Sequence, residues 1–201
     1  MRIEKTEVMN LRGAIRGMRN PLESWDKMDT NYKRGSLGKN DLELAKKLCK
    51  AGSDHRKFMR QIFVSVDITA PLYWWKQFDT YKIGVTQNST STMHKIHDKE
   101  ITIDDFQIEN IKDKNYFQEL VEVLEDFRKE YNRTNNKDYW YKLIELLPSS
   151  YLQKRTVTLN YEVLVNIYSS RKNHKLSEWH KFCDWIESLP NFEIIKTASE
   201  E

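Results

Sequence analysis

The chain has 201 residues, 39% hydrophobic and 31% charged, and its 33 basic and 30 acidic side chains leave a formal charge of +3. That length supports one domain with a substantial core, and six Trp, ten Tyr and eight Phe exclude a disordered chain. The two signs of charge are interleaved, so no basic stripe awaits nucleic-acid phosphates, whereas a small acidic ligand needs only about two or three focused cations.

In chain order, residues 2–25 place Leu11, Ile15 and Met18 at helical spacing beside Arg12, Arg16 and Arg19. This predicts a short amphipathic helix ending near Asn20-Pro21, because the residue before a proline is pushed out of the helical region. Residues 26–39, with Gly35 and Gly38 among polar groups, have the composition of a mobile loop. A second helix is predicted over 40–50, with Asn40 as N-cap, Leu42, Ala45 and Leu48 on one stripe, and Gly52 ending it. From Gln61 the period becomes two. Ile62, Val64, Val66 and Ile68 alternate with Phe63, Ser65 and Asp67, predicting a strand with one apolar face. Pro71 suits the first turn of a helix running through Phe78.

An aromatic run around Trp74, Trp75, Phe78 and Tyr81 then gives way to Thr86-Gln87-Asn88-Ser89-Thr90-Ser91-Thr92. Hydrogen-bonding groups beside a packed platform suit a pocket for a polar, planar ligand; a solvated Ser/Thr loop accounts for the same composition. Residues 97–114 are charged and irregular, with Ile101, Ile103, Phe106 and Ile108 allowing one edge strand. The clearest helix is 116–131, with Phe117, Leu120, Val121, Leu124 and Phe127 as its buried stripe. Tyr139-Trp140-Tyr141 opens another, to Leu147, which Pro148 breaks. Val157 and Leu159 lead into a helix over 160–170 with Val163, Leu164, Ile167 and Tyr168 inward. A last helix holds Leu176, Trp179, Phe182, Cys183 and Ile186. No repeat or composition shift divides residues 1–201. The fold expected is one mainly helical α/β (α+β) domain with a small antiparallel or mixed sheet.

No run approaches the roughly 18 apolar residues of a membrane span, and no apolar signal segment opens the chain, which reads as cytoplasmic. Cys49 and Cys183 have neither the number nor the spacing of a metal site or disulfide framework and read as reduced, buried packing. His55, His94, His97, His174 and His180 form no compact ligand array, so no metal is expected.

Several local patterns, in order, resemble the flavin-dependent thymidylate synthases. Ala51-Gly52 with His55 resembles the histidine-containing segment ahead of that family's strand. Ile68-Thr69-Ala70-Pro71-Leu72-Tyr73 resembles its strand-to-helix junction, and Lys76-Gln77-Phe78 the arginine-glutamine-aromatic that follows. Leu147-Pro148 through Asn160 resembles the segment with a phosphate-side arginine. Asn166-Ile167-Tyr168-Ser169-Ser170-Arg171, with Glu178-Trp179, resembles the arginine-bearing helix and its tryptophan. The departures fall on the chemistry. Thr80-Tyr81-Lys82 stands where the family has arginine-histidine-arginine, and Asn88, Thr90 and Thr92 stand where it has glutamate, serine and arginine, with Ser89 or Ser91 in the serine role at an offset of one residue.

The resemblance implies a thymidylate-synthase-like fold, a pyrimidine nucleotide such as dUMP as ligand, FAD as cofactor, and a homotetramer with sites at subunit boundaries. It places nucleotide contacts at Gln77, Asn88, Ser89, Thr90, Ser91, Lys154, Arg155 and Arg171, and cofactor contacts at His55, Tyr81 and Lys82. Arg171 also fits a favourable helix C-terminal charge, Lys154 and Arg155 solvated cations, and His55 a loop histidine; for Arg171 the phosphate contact is the preferred reading. Lysine also offers one mobile point charge where arginine offers a rigid fork. Two functions follow: a divergent enzyme methylating dUMP with reduced FAD and a folate, or a non-catalytic nucleotide-binding or sequestering protein on the same scaffold.

Overall fold

The computed structural model describes residues 1–33 and 35–200; Arg34, inside the expected loop 26–39, and Glu201 lie outside them. The elements run β1 (Arg2–Met9), α1 (Leu11–Arg19), α2 (Lys39–Lys50), β2 (Phe63–Pro71), α3 (Leu72–Phe78), β3 (Thr86–Ser89), α4 (Thr92–Lys95), α5 (Asn115–Thr134), α6 (Lys137–Glu145), β4 (Leu152–Asn160), α7 (Tyr161–Arg171), α8 (Ser177–Glu187) and α9 (Phe192–Ser199). The four strands form one sheet in the order β1-β2-β4-β3. Leu72 donates its N–H to Tyr151 O at one end of the β2–β4 pair and Tyr161 to Ile62 O at the other, so that pair is antiparallel.

The β2 periodicity is borne out, but β2 lies inside the sheet and is buried from Val66 to Pro71, Asp67 included. Thr156 Oγ1 donates to Asp67 Oδ1 at 2.7 Å, which meets the cost of burying that carboxylate. β1 replaces the expected start of the first helix. Only Ile3 and Val8 of this edge strand are even half-buried, and their opposite parity hides a period of two. Lys5, at φ 53°, shifts the phase between them.

Two compact units divide the chain: Met1–Arg2, Ile68–Thr80 and Asn88–Arg155 make the first, and Ile3–Asp67, Tyr81–Gln87 and the chain from Thr156 onward make the second. In the first, α5 and α6 enclose a cluster of Ile96, Ile101, Phe106, Ile108, Val121, Leu124 and Leu143. Residues 97–114 contribute a single bridge, Phe106 to Tyr151, rather than an edge strand. Glu125 pins that segment by accepting the Ile101 N–H at 2.9 Å, and the Arg128 guanidinium beside it holds its carboxyl below the usual range.

In the second unit, α7 is buried on most sides and packs against α8 and α9. Asn160 caps it by accepting the Val163 N–H at 3.1 Å. α9, unexpected from the sequence, packs on α2 and α7 through Ile194, Ile195 and Ala198. The expected N-cap of α2 is corrected: Asp29, from the preceding loop, accepts the N–H groups of Asn40 and Asp41, which holds its carboxyl low. Loop 26–39 is tied further on, where Leu37 N–H donates to Asn191 Oδ1 at 2.9 Å.

Both cysteines are buried thiols outside any disulfide. Burial, then Asp184 and Glu187, push the Cys183 thiol from 9.0 up to about 11. Burial and its bond to Glu187 push the Tyr168 phenol from 10.0 up to about 12. Each group stays protonated in the folded chain at a pH that ionises it in the unfolded one. What these two groups contribute to stability is therefore full below pH 9 and is lost as pH rises through 9 to 12. Tyr168→Phe is expected to flatten the upper part of that fall in a Tm-against-pH series; an unchanged slope would remove Tyr168 from the account.

Candidate functional site

In the first unit, the exposed side chains of Asn88 and Ser89 end β3, and the hydroxyl tract then turns onto β4. Thr90 donates both its N–H (2.9 Å) and its hydroxyl (3.2 Å) to Lys154 O, and Gln153 Nε2 returns a bond to Thr90 O at 3.0 Å. Ser91 Oγ accepts the His94 N–H at 3.3 Å, capping the single turn of α4. Thr90, Ser91 and Thr92 line a cavity of about 420 Å³ with Lys95, Ile101 and Tyr151 among its other walls. Lys95 meets Asp98 at 2.6 Å and holds its carboxyl low, while burial, aided by Asp105, pushes the Tyr151 phenol up. The cavity thus offers hydroxyls, an un-ionised phenol, the lysines Lys95 and Lys99, and the carboxylates Asp98, Glu100 and Asp105. It suits a polar neutral group better than a bare anion.

Arg155 occupies a different niche of that unit. Its Nη1 donates to Asp79 Oδ1 at 2.7 Å and its Nε to Gln153 Oε1 at 3.0 Å, and its guanidinium lies 4.2 Å from the Trp75 ring centre. Trp75 is fixed by Nε1 donating to Gln153 O and by edge contacts with Trp74 and Phe78. These contacts make Arg155 a clamp between α3 and β4. Lys154 is half-buried, as is Gln77 on α3. Gln153 and Asp79 were not foreseen. Gln153 sits two residues before Arg155, and recognition of β4 as a strand would have placed both on one face.

In the second unit, Arg171 ends α7 and folds back between two rings. Its Nε donates to Tyr81 Oη at 2.9 Å, and its Cζ lies 4.7 Å from the Trp179 ring centre and 5.6 Å from that of Tyr81. His174 packs edge-on to Trp179, and burial, then Arg171, lowers its pKa. Gly84 seats the loop carrying Tyr81. Its φ is +76°, and an added Cβ would meet Asn160 Nδ2 at 2.9 Å and Val163 Cγ2 at 3.3 Å. Gly84→Ala is expected to cost about 1–2 kcal/mol from left-handed backbone alone, before that crowding. A denaturation midpoint equal to wild type would show that the loop does not need this seat.

Lys82 is exposed. His55, also exposed, borders a separate cavity of about 430 Å³ whose walls include Met18, Leu44, Leu48 and Phe58, and do not include Tyr81, Lys82 or Arg171. The structure therefore brings Tyr81 to Arg171, and Thr90 to Lys154 and Gln153, and leaves His55 at an apolar wall. As a donor set for FAD, His55, Tyr81 and Lys82 supply one permanent cation, one neutral hydroxyl already accepting from Arg171, and one ring beside hydrocarbon. That set does not match a flavin diphosphate. Among the described residues no cluster of His, Cys, Asp and Glu could hold a metal ion, and no helix is long and apolar enough to cross a membrane.

No family model and no curated protein matches the chain in sequence. Solved structures do match in fold. Thymidylate synthase X (ThyX) from Helicobacter pylori with FAD and dUMP has a TM-score of 0.77 at 14% identity, covering 100% of both chains. A second structure, of flavin-dependent thymidylate synthase ThyX from Helicobacter pylori complexed with FAD and dUMP, gives 0.76 at 16% identity, covering 100% of this chain and 99% of that one. The chain thus has a mixed α/β, ThyX-like fold with helical bulk and a small sheet, and at this identity the likeness is one of fold.

Proposed function

We propose that this protein binds a pyrimidine nucleotide on a ThyX-like scaffold, as a nucleotide-binding or sequestering protein. The observation that carries the reading is the contrast between retained and replaced groups. Arg171, the best kept basic position of the resemblance, is held between Tyr81 and Trp179 as a fixed guanidinium. The arginine-histidine-arginine positions have become Thr80, Tyr81 and Lys82. A ground-state ligand can be held by hydroxyls, amides and one guanidinium, whereas stabilising a developing charge needs donors preorganised for it. Arg171 is assigned the phosphate.

A second reading is divergent dUMP methylation, with FAD as cofactor. It is favoured by the full-length fold match to two ThyX structures with FAD and dUMP. Purified protein given FAD, NADPH and a folate separates the two: the binding reading predicts dUMP binding without dUMP-dependent NADPH oxidation. NADPH consumption that requires dUMP would replace it with the enzyme. The homotetramer implied by the resemblance belongs to the same proposal, and a monomeric mass at micromolar concentration would remove it.

A further inference from the structure

We infer that the cavity of about 420 Å³ in the first unit binds a small zwitterion, an α-amino acid in its free form, at a site independent of the nucleotide reading. Most of the charges on its walls are already answered. Lys95 Nζ meets Asp98 Oδ2 at 2.6 Å, and Arg128, held chiefly by Glu125, also feels the charge of Glu100. One cation and one carboxylate oxygen are left over. Among the described residues Lys99 has no acidic partner. Asp105 Oδ2 accepts the Thr102 N–H at 2.8 Å and its hydroxyl at 3.3 Å, whereas Oδ1 accepts nothing from the described residues. Tyr151 stands near that carboxylate: burial, then the charge of Asp105, raises its phenol, and its hydroxyl bonds to none of the described residues.

These groups select by sign. A bare anion would gain Lys99 and be opposed by Asp98, Glu100 and Asp105, and a simple amine would gain Asp105 and face Lys95 and Lys99. A molecule carrying both charges satisfies both. Its carboxylate accepts from Lys99 and from the hydroxyls of Ser91 and Thr92, and its ammonium donates to Asp105 and to Tyr151 Oη. Ser91 Oγ accepts the His94 N–H at 3.3 Å, which leaves its own hydrogen to donate. Ile96 and Ile101, 4% and 5% exposed, give the remaining wall a hydrocarbon surface for an amino-acid side chain. The segment bearing Lys99 is fixed on α5 without a ligand. Arg128 Nη1 and Asn132 Nδ2 donate to His97 O at 3.2 and 2.9 Å, and Glu125 accepts the Ile101 N–H at 2.9 Å. Binding therefore has little backbone to order.

Calorimetric titration of the full chain with each free L-amino acid in turn tests this, followed by the N-acetyl and carboxamide derivatives of the tightest binder. At least one amino acid should bind saturably, and removing either of its charges should weaken it about tenfold or more, the weight of a charged hydrogen bond. Tyr151→Phe keeps the ring packed against Phe106 and should weaken the amino acid about fivefold, the weight of one ordinary hydrogen bond. Lys99→Gln should weaken the free acid and leave its carboxamide little changed. Silence from every amino acid, equal affinity for an acid and its carboxamide, or a Lys99→Gln loss shared by both overturns the inference.

Discussion

Asp41→Ala is expected to destabilise the protein by about 3–5 kcal/mol, the range for breaking a buried ion pair from one side. Arg19 is 4% exposed and Asp41 0%, and Asp41 Oδ1 accepts both Nε and Nη2 of Arg19 at 2.7 Å. The second oxygen accepts the N–H groups of Asp29 (3.1 Å) and Thr30 (3.0 Å). Alanine would leave a buried guanidinium without its counter-charge and two backbone donors without an acceptor. It would also loosen Asp29, whose carboxylate caps α2. Removing Arg19 as well should cost less than the sum of the single losses, because the orphaned charge goes with it. Urea denaturation of the two single variants and the double variant measures this. A loss for Asp41→Ala no larger than the roughly 1 kcal/mol of a surface pair would show that water reaches the site.

Arg171→Ala is expected to weaken dUMP by about 1.5–3 kcal/mol, or roughly 10- to 150-fold, the weight of a charged hydrogen bond. Deoxyuridine, without the phosphate, should lose much less. Calorimetry on the two ligands reads the difference directly. Equal losses for nucleotide and nucleoside would make Arg171 a support of the α7–α8 corner with no part in phosphate recognition.

What the sequence made legible follows from where each residue sits. β2 and the α7 and α8 stripes could be read because burial imposes a period on their apolar residues. β1, β3 and the first half of β4 could not. Arg2–Met9 and Thr86–Ser89 are edge strands with mostly exposed side chains, and Gln153, Lys154 and Arg155 are half-buried polar groups that leave no apolar rhythm. The α2 cap was misplaced because its carboxylate comes from Asp29, ten residues before the start of the helix at Lys39. At the candidate site, the resemblance drew attention to Arg171 and Tyr81 separately. Their mutual contact depends on the packing of the 81–87 loop along α7, which no spacing encodes. Arg155 shows the opposite case, a residue whose chemistry suits a phosphate and whose partners, Asp79, Gln153 and Trp75, give it a scaffold role.

The central claim, recognition of a pyrimidine nucleotide through its phosphate, is tested most directly by calorimetric titration of the wild-type protein with dUMP and with deoxyuridine. The account predicts saturable binding of dUMP, tighter than deoxyuridine by about tenfold or more, with a preference that shrinks as salt screens the phosphate. No heat from either ligand, or equal affinity for both at low salt, would contradict it.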